Sequence, residues 1–527
     1  MPARLLSLLI VLAGTIAGTA SRPNIIIILC DDMGYSDLGC YGSEIQTPNL
    51  DELARNGIRF TQFRNTSKCW TTRASLLTGK YWQKIAPLKF MLPGSVTIPE
   101  VLQVNGYRTY MSGKWHLGPG LYDSLERTPA ARGFEKFYGI LRGATSFFDP
   151  DTLTRGFKPI QAPRDGKYYF TDAISEDVAK NIREHARDSS DKPFFMYVAY
   201  TAPHWPMHAL PEDIAKYKGV YDTGWDELRR RRFAKMRELG VVPPNAKLSP
   251  PNPGAKDWSS VDQDWEAHRM TVYAAMIDRM DQGIGEIIGA LKKTGAFDNT
   301  LIMFLSDNGA SPENIGLKNG ITCLGGKAET REGAKIQVGY GQGIYPGPEN
   351  TFQGYGPSWA NASCTPFTWW KTMSHEGGVA TPFIAHWPKG IRNRGTINSG
   401  DFAHLIDLMP TCLDAAGVDY PNGSDSPDGI SILGNLTKGE ALPARVVFNE
   451  FANKAFVRDG QWKLVTRSVR SDKWELYDMQ VDPSELNDLA EAEPERLTRM
   501  KQDYTEWYAG TGIKPSVKKK DKKTKTK

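Results

Sequence analysis

The segment of residues 69–80 places a reactive side chain beside a cation. Its sequence, CWTTRASLLTGK, is typical of a helix that begins near Cys69, with Arg73 four residues later. Residues four apart lie on one face of a helix, so the Arg73 guanidinium should stand beside the Cys69 side chain. The free N–H groups of a helix N-terminus also favour an anion at this point. These features indicate a nucleophile that attacks an anionic ester.

Carboxylate and amide side chains follow two apolar runs that read as buried strands. Asp31 and Asp32 come directly after the first run, and Asp307 and Asn308 come directly after the other. Ligands of open α/β folds bind at the carboxyl ends of the strands, so we expect these four side chains to meet. Their oxygens are hard ligands that suit Ca²⁺ or Mg²⁺. The sequence therefore predicts a divalent metal site.

Lysines and histidines follow other predicted strands. Lys114 and His116 are two residues apart, and would share a face if the chain is extended there. His204 lies between two prolines that restrict the backbone around it, and Lys371 comes five residues before Glu376. Each residue alone is a weak signal. Their joint positions beyond strands of one sheet indicate a single site.

The framework that must position these residues is an alternation of helices and strands. The predicted pairs are 47–57 with 58–63, 98–105 with 107–111, 172–187 with 194–200, and 270–293 with 300–305. This alternation predicts an α/β fold with a large, doubly wound, mostly parallel sheet. Two segments, 218–265 and 313–356, are rich in charge and Pro or in Gly, and are predicted to be long loops over that core.

A smaller C-terminal α+β domain is predicted from a change of pattern past residue 422. Residues 456–465 read as a hairpin with an Asp-Gly turn, residues 474–478 as a short strand, and residues 495–508 as a helix. We therefore expect a catalytic domain at 21–421 and the α+β domain at 422–512.

The two ends of the chain read as appendages. Arg4, a short apolar run and small residues up to Ala20 are typical of a signal peptide at 1–20, too short to span a membrane. A secreted or periplasmic protein without a transmembrane segment is expected.

The net charge of +5 comes from the tail at 513–527: its last fourteen residues carry +7, which leaves −2 for the rest. A near-neutral body argues against nucleic acid as a partner, and the tail should be disordered.

The six cysteines fit no zinc motif. If Cys69 is used chemically, five remain and at most two disulfides could form. A domain of this size does not depend on a disulfide framework.

Taken together, these segments resemble the type I sulfatase family of the alkaline-phosphatase-like superfamily, with the bacterial arylsulfatases as the most similar subset. The resemblance is carried by residues 24–32, 47–51, 69–80, 113–118, 202–204, 306–309, 375–378, 474–478 and 482–483. These segments occur in family order and cover nearly all of the chain after the signal. The resemblance implies an alkaline-phosphatase-like fold and hydrolysis of sulfate esters.

The resemblance also implies a cofactor and a modification. Cys69 would be oxidised to formylglycine, whose hydrate attacks sulfur with one hydroxyl and releases sulfate through the other. One Ca²⁺, rather than Mg²⁺, would be held by Asp31, Asp32, Asp307 and Asn308, with an oxygen of the modified Cys69. A formylglycine-generating or sulfatase-maturing enzyme is then a required partner.

The remaining roles follow from the same resemblance. Arg73 would orient the hydrate, and Lys114 and Lys371 would bind sulfate oxygens. His116 would act as the base that expels sulfate, and His204 would bind the substrate and protonate its leaving oxygen. His375 stands where relatives often have an aromatic residue, and would contact the leaving-group side of the substrate.

One position departs from the family pattern. Thr71 stands two residues after Cys69, where Pro is expected, in the segment that the maturing enzyme reads. An unconverted, inactive protein that only binds sulfated polymers is therefore one alternative. The other is a phosphonate or phosphate ester hydrolase of the same superfamily, although eight His and one evident hard-oxygen site argue against the two-zinc form.

The substrate is expected to be a sulfated carbohydrate. Aromatic side chains near the motifs could stack on sugar rings. The tryptophans concerned are Trp70, Trp82, Trp205, Trp359, Trp369 and Trp370.

Overall fold

The computed structural model describes residues 22–87, 90–118, 125–313, 315, 327–339, 343–421, 423–471 and 473–513. The predicted signal peptide and the Lys-rich tail from residue 514 onward lie outside these ranges. No helix within them is long and apolar enough to cross a bilayer.

A large sheet forms the centre of the molecule, and ten of its strands lie in the described ranges. From one edge to the other they are Thr396–Asn398, Ile58–Phe60, Phe383–His386, Thr300–Ser306, Asn24–Cys30, Phe194–Ala199, Arg108–Lys114, Lys136–Ile140, Leu153–Arg155 and Lys158–Pro159. The four strands that end at predicted site residues are neighbours and all run parallel. Antiparallel pairs occur only toward the two sides, at Phe383–His386 and beyond Lys136–Ile140. The prediction of a mostly parallel sheet is confirmed.

The first strand is buried on both faces. Ile26 and Ile28 pack into one apolar cluster, while Ile25, Ile27 and Leu29 pack into another on the opposite side of the sheet. Alternate residues of a strand point to opposite faces, so a continuous β-branched run is what a sheet covered on both faces requires. This double covering fixes the strand ends, and with them the side chains that follow.

Helices cover both faces. The helices in the described ranges are Pro48–Arg55, Cys69–Thr78, Trp82–Ile85, Ile98–Val104, Phe170–Asp188, Pro211–Lys216, Gly224–Glu238, Gln263–Lys293, Gly356–Ser363, Glu376–Val379, Leu408–Ala416, Leu433–Lys438 and Pro494–Gly510, the last of which packs on the smaller C-terminal sheet. Short 3₁₀ turns stand at Gly39–Tyr41, Leu125–Arg127, Pro129–Ala131, Trp258–Ser260, Phe297–Asn299 and Leu405–Asp407. The predicted helix–strand pairs are confirmed within a few residues at each end, except that the helix predicted at 270–293 begins seven residues earlier, at Gln263.

One of the two predicted loops is wrong. Residues 218–265 contain the helix Gly224–Glu238 and the first turn of the helix Gln263–Lys293. The helix Gly224–Glu238 buries Trp225, Leu228 and Met236, and two of its arginines as well. Because those arginines are buried in ion pairs or hydrogen bonds, the charge-rich sequence concealed the buried face. The second segment, 313–356, lies partly outside the described residues, and the short strands Gln337–Val338 and Thr351–Phe352 pair within it.

A four-stranded antiparallel sheet follows at the C-terminal end. Its strands are Val446–Phe451, Lys454–Asp459, Trp462–Thr466 and Glu475–Asp478, in that order. The predicted central hairpin is confirmed, but Asp459 pairs with Trp462, so its turn residues are Gly460 and Gln461, one residue later than predicted. The helix Pro494–Gly510 packs on the sheet through Met500 and Tyr504. A further small sheet pairs Phe63–Arg64 with Ala403–His404.

The cysteines in the described part of the chain form no disulfide. Cys30, Cys40, Cys69, Cys364 and Cys412 are all free and buried.

Candidate active site

The helix Cys69–Thr78 begins at Cys69, as predicted, and every residue in it is buried. Lys68 precedes it in an extended conformation, and its side chain makes no capping hydrogen bond. Gly79 ends the helix in the left-handed conformation, with φ of 66°. The Cys69 side chain therefore lies at a helix N-terminus that the Lys68 side chain does not cap.

The strand register brings the acidic residues to Cys69. Cys30 pairs with Ser306 at the ends of neighbouring parallel strands, so Asp31 and Asp307 leave the sheet side by side. Ligand atoms of Asp31, Asp307 and Cys69 lie within 4.8 Å of one another, and so do those of Asp31, Asp32 and His204. Two acceptor oxygens here, Oδ1 of Asp31 and Oδ1 of Asn308, are buried and accept no hydrogen bond from the described residues. Unpaired buried oxygens of this kind fit a hard cation.

Each carboxylate is paired with at least one buried cation. Arg73 Nη2 lies 2.8 Å from Asp307 Oδ2, and 3.7 Å from Asp31 Oδ2. Lys114 Nζ pairs with Asp31 Oδ2, and Lys371 Nζ donates to Asp32 Oδ2 at 2.8 Å. All six side chains are at most 1% exposed. Their formal charges cancel, so a bound divalent cation would leave the site positive and suited to an anionic ester.

The pKa values of the buried carboxyl groups shift in different directions, because burial raises them and neighbouring cations lower them. Burial and the neighbouring Asp31 raise the pKa of Asp307 to about 7. For Asp31, burial acts to raise the pKa, but Lys114, His204 and Arg73 lower it well below its usual range. The pKa of Lys371 is well above its ordinary value, because Asp32 outweighs the opposing effect of burial.

His204 is fixed at the edge of this cluster. Its Nδ1 donates to the Trp205 carbonyl oxygen at 2.6 Å, and its Nε2 lies 3.4 Å from Asp32 Oδ2. Burial lowers the pKa of His204, although Asp32 and Asp31 oppose that effect. The nitrogen that faces the carboxylates is thus the one available for proton transfer.

Two glycines make close contacts near Lys114 and His116. Gly113, just before Lys114, has φ of 115°, and a Cβ there would lie 1.9 Å from the Ala199 carbonyl oxygen of the neighbouring strand. Gly143 packs on the imidazole, because a Cβ on it would lie 2.5 Å from the His116 ring. His116 itself has a left-handed backbone, with φ of 60°. Sequence reasoning did not identify Gly143, since it lies 27 residues away in an irregular segment.

His375 lies on the loop that carries Lys371 and is 1% exposed. Its Nε2 lies 2.8 Å from Glu475 Oε2, a residue of the C-terminal sheet, and its ring centre is 5.5 Å from that of Trp369. A direct contact of His375 with the substrate stays a prediction.

Thr71 is buried in the first turn of the helix Cys69–Thr78. Its hydroxyl donates to the Lys68 carbonyl oxygen at 2.8 Å and lies 2.6 Å from the Thr66 hydroxyl. The next residue, Thr72, donates to the Asp307 carbonyl oxygen at 2.6 Å. The residue that replaces the expected Pro is therefore part of a hydroxyl cluster beside the acidic loop.

A further carboxylate at the site was not identified from the sequence. Glu313 accepts a hydrogen bond from Trp205 Nε1 at 2.7 Å, and lies 3.6 Å from Lys68 Nζ. Burial acts to raise the pKa of Glu313, but Lys371, Lys68 and His204 lower it to about 2. The sequence around Glu313 gave no sign of this role, because Glu313 stands at the start of a Gly-rich segment and does not directly follow a predicted strand.

The fold and the site define a hydrolase of anionic esters, and comparison with known proteins gives the family. Residues 23–418 match the Sulfatase family, and residues 367–506 match N-sulphoglucosamine sulphohydrolase, C-terminal. The chain belongs to the sulfatase family, as the sequence motifs indicated, and is a sulfuric ester hydrolase.

Individual relatives span most of the chain. The protein is 31% identical to an uncharacterized sulfatase of Schizosaccharomyces pombe, over 94% of this chain and 95% of that one. It is 34% identical to an arylsulfatase of Klebsiella aerogenes, over 79% and 91%. The crystal structure of Ps i-CgsB in complex with k-i-k-neocarrahexaose is similar with a TM-score of 0.67, at 25% identity over 94% of both chains.

Proposed function

We propose that this sulfatase hydrolyses sulfate esters of carbohydrates, using a formylglycine made from Cys69 and one bound Ca²⁺. The observation that carries the proposal is the meeting of Cys69 with Asp31 and Asp307, beside two buried oxygens without hydrogen-bond partners. The complex of a similar protein with k-i-k-neocarrahexaose supports a saccharide substrate. The N-terminal sequence supports export, and the formylglycine requires a maturing enzyme.

Asp31, Asp32, Asp307 and Asn308 would hold the calcium ion. When bound, the ion would offset the three carboxylates and stabilise negative charge on the sulfate oxygens. The groups of acidic, His and Cys residues that are close enough to share an ion in the described chain both contain Asp31. This supports one metal site rather than the two-zinc arrangement of related phosphatases.

The protein's own side chains would perform the remaining steps. The formylglycine hydrate would supply the attacking hydroxyl and, through its second hydroxyl, the means to release sulfate. Arg73 would hold residue 69 in place from the same helix, and Lys114 and Lys371 would bind the sulfate oxygens. His204 would donate a proton from Nε2 to the leaving oxygen, and His116 would accept the proton that allows sulfate to leave.

The substrate class is tested by measuring released sulfate. We expect 4-nitrophenyl sulfate to be hydrolysed with a higher kcat/KM than the matching phenylphosphonate monoester. In a panel of sulfated mono- and oligosaccharides, at least one should be hydrolysed with a higher kcat/KM than 4-nitrophenyl sulfate. Preference for the phosphonate would favour the alternative hydrolase, and absence of any saccharide turnover would contradict the carbohydrate assignment.

The metal is tested by chelation and reconstitution. Activity should fall after treatment with EGTA and return with Ca²⁺ more fully than with Mg²⁺. Full activity in a sample shown by elemental analysis to be free of metal would refute the calcium role.

A further inference from the structure

The loop that carries Lys371 presents an aromatic ring beside the site. Lys371 is fully buried against Asp32, whereas Trp369, two residues earlier, is only half-buried. A half-buried indole offers an apolar surface for the ring of a sugar.

An arginine of the C-terminal sheet lies over that indole. The guanidinium carbon of Arg467 is 5.5 Å from the centre of the Trp369 ring, within the range of a cation–π contact. Arg467 directly follows the strand Trp462–Thr466, and its side chain is 59% exposed. Its Nε lies 3.7 Å from Glu475 Oε1, which is too long for a hydrogen bond. The guanidinium is therefore held at the surface with donors that can reach a ligand.

Glu475 fixes this arrangement to the active-site loop. Its Oε2 lies 2.8 Å from His375 Nε2 and accepts a hydrogen bond from the Tyr477 hydroxyl at 2.9 Å. Its other oxygen, Oε1, forms a long ion pair with Arg467. Glu475 therefore ties the position of Arg467 to the loop that carries Lys371.

The connection that contains Arg467 is cationic. Residues 467–473 hold three basic residues and one acidic residue, and Arg467, Arg470 and Lys473 are exposed. An anionic group near Trp369 would therefore meet a positive surface. This surface is distinct from the buried cations that are proposed to bind the sulfate being cleaved.

We propose that Trp369 and Arg467 form a subsite for a second anionic group of the substrate, so that the enzyme prefers saccharides with more than one sulfate or carboxylate. This inference rests on the proposed carbohydrate substrate. Trp369 packs against a sugar ring, and the Arg467 guanidinium binds the sulfate or carboxylate of that sugar or its neighbour. A small aryl sulfate has one anionic group and does not use this subsite.

The test uses dextran sulfate as a polyanionic competitor of 4-nitrophenyl sulfate. Dextran sulfate should inhibit the wild type competitively, and neutral dextran should not. Arg467→Gln should raise the inhibition constant about three- to fivefold, the range expected for one exposed charge, and change kcat/KM for the aryl ester less than about twofold. Arg499→Gln is the matched control, since Arg499 is 50% exposed on the helix Pro494–Gly510 and pairs with Asp459. It should leave both values unchanged.

The outcomes separate the subsite from the proposed function. Equal inhibition of wild type and Arg467→Gln, an equal effect of Arg499→Gln, or a parallel loss of aryl sulfate turnover would overturn the subsite. Binding of fluorescently labelled dextran sulfate, measured by anisotropy, does not require turnover. Arg467-dependent binding in a preparation whose Cys69 is unmodified would support the subsite even if the proposed catalytic group were wrong.

Discussion

Each of the three acidic residues at the centre of the site is paired with a different buried cation. Lys114 pairs with Asp31, Lys371 with Asp32 and Arg73 with Asp307. Removing one carboxylate would therefore remove a proposed metal ligand and leave a buried cation without its partner. Such a change should affect metal content and turnover together.

Asp307→Ala should abolish metal binding and lower kcat/KM by about 10³-fold or more, because charge on the sulfate oxygens is no longer offset. Calcium content by elemental analysis and sulfate release measure the two effects. Asp222→Ala, at an exposed position, is the control and should behave as wild type. Normal turnover by Asp307→Ala with reduced calcium would contradict the metal's role.

Thr71→Ala should lower the free energy of unfolding by about 1–2 kcal/mol, because the buried hydroxyl bonds to Lys68 and Thr66 are lost. Urea unfolding measures this. Thr505→Ala removes a comparable bond to the Lys501 carbonyl oxygen on an exposed helix surface, and should change stability by less than about 0.5 kcal/mol. Equal effects of the two substitutions would show that the Thr71 cluster has no special structural role.

Strained backbone accompanies the elements that carry the site. Asp32, His116 and Thr372 have φ values of 69°, 60° and 70°, a region that non-glycine residues rarely adopt. Each lies at a strand end or beside Lys371. Such strain persists where the surrounding structure fixes the chain, as the double covering of the sheet does here.

Gly143→Ala should move the His116 ring, because the new Cβ would lie 2.5 Å from it. We expect kcat to fall about 10- to 100-fold with little change in thermal unfolding. Gly289→Ala is the control, since a Cβ there meets nothing within 4 Å; its turnover should be unchanged. Unchanged kcat in Gly143→Ala would show that the placement of His116 does not limit the reaction.

The strand ends could be predicted because buried parallel strands are continuous apolar runs, and polar residues directly follow them. The pairing of cations with carboxylates could not, because it depends on the order of strands across the sheet. Lys114 reaches Asp31 across the intervening strand Phe194–Ala199. Glu313 contacts Trp205, and Gly143 contacts His116. Each pair is separated by more than 25 residues in the sequence, so the spacing of neighbouring residues does not reveal it. The helix Gly224–Glu238 was missed because its buried arginines obscured the apolar face.

At the scale of the whole molecule, buried charges join the C-terminal sheet to the short helix after Lys371 and to Arg64 of the small sheet. Glu376, five residues after Lys371, pairs with Arg64 and lies 2.6 Å from Lys463 Nζ on the strand Trp462–Thr466. Burial acts to raise the pKa of Glu376, but Arg64 and Lys463 outweigh it and lower that pKa to about 2. The boundary near residue 422 stays a prediction.

Because this pKa is lower in the folded than in the unfolded protein, Glu376 stabilises the fold fully above about pH 4.3. That stabilisation is lost as the pH falls toward 2. Glu376→Gln should lower stability by about 3 kcal/mol at pH 7, and the deficit should shrink below pH 4.3. Calorimetric unfolding across pH measures this, with the exposed Glu491→Gln as control. A deficit that is constant from pH 7 to pH 2.5 would contradict the ionised pairing.

The central claim is that Cys69 becomes the catalytic group despite Thr71. Mass spectrometry of a peptide spanning residues 65–80, from protein made in its native host, tests it most directly. We predict an aldehyde at residue 69 that forms an oxime with hydroxylamine, in a fraction that tracks the rate of sulfate release. An unmodified Cys69 thiol in a preparation with full sulfatase activity would contradict the account.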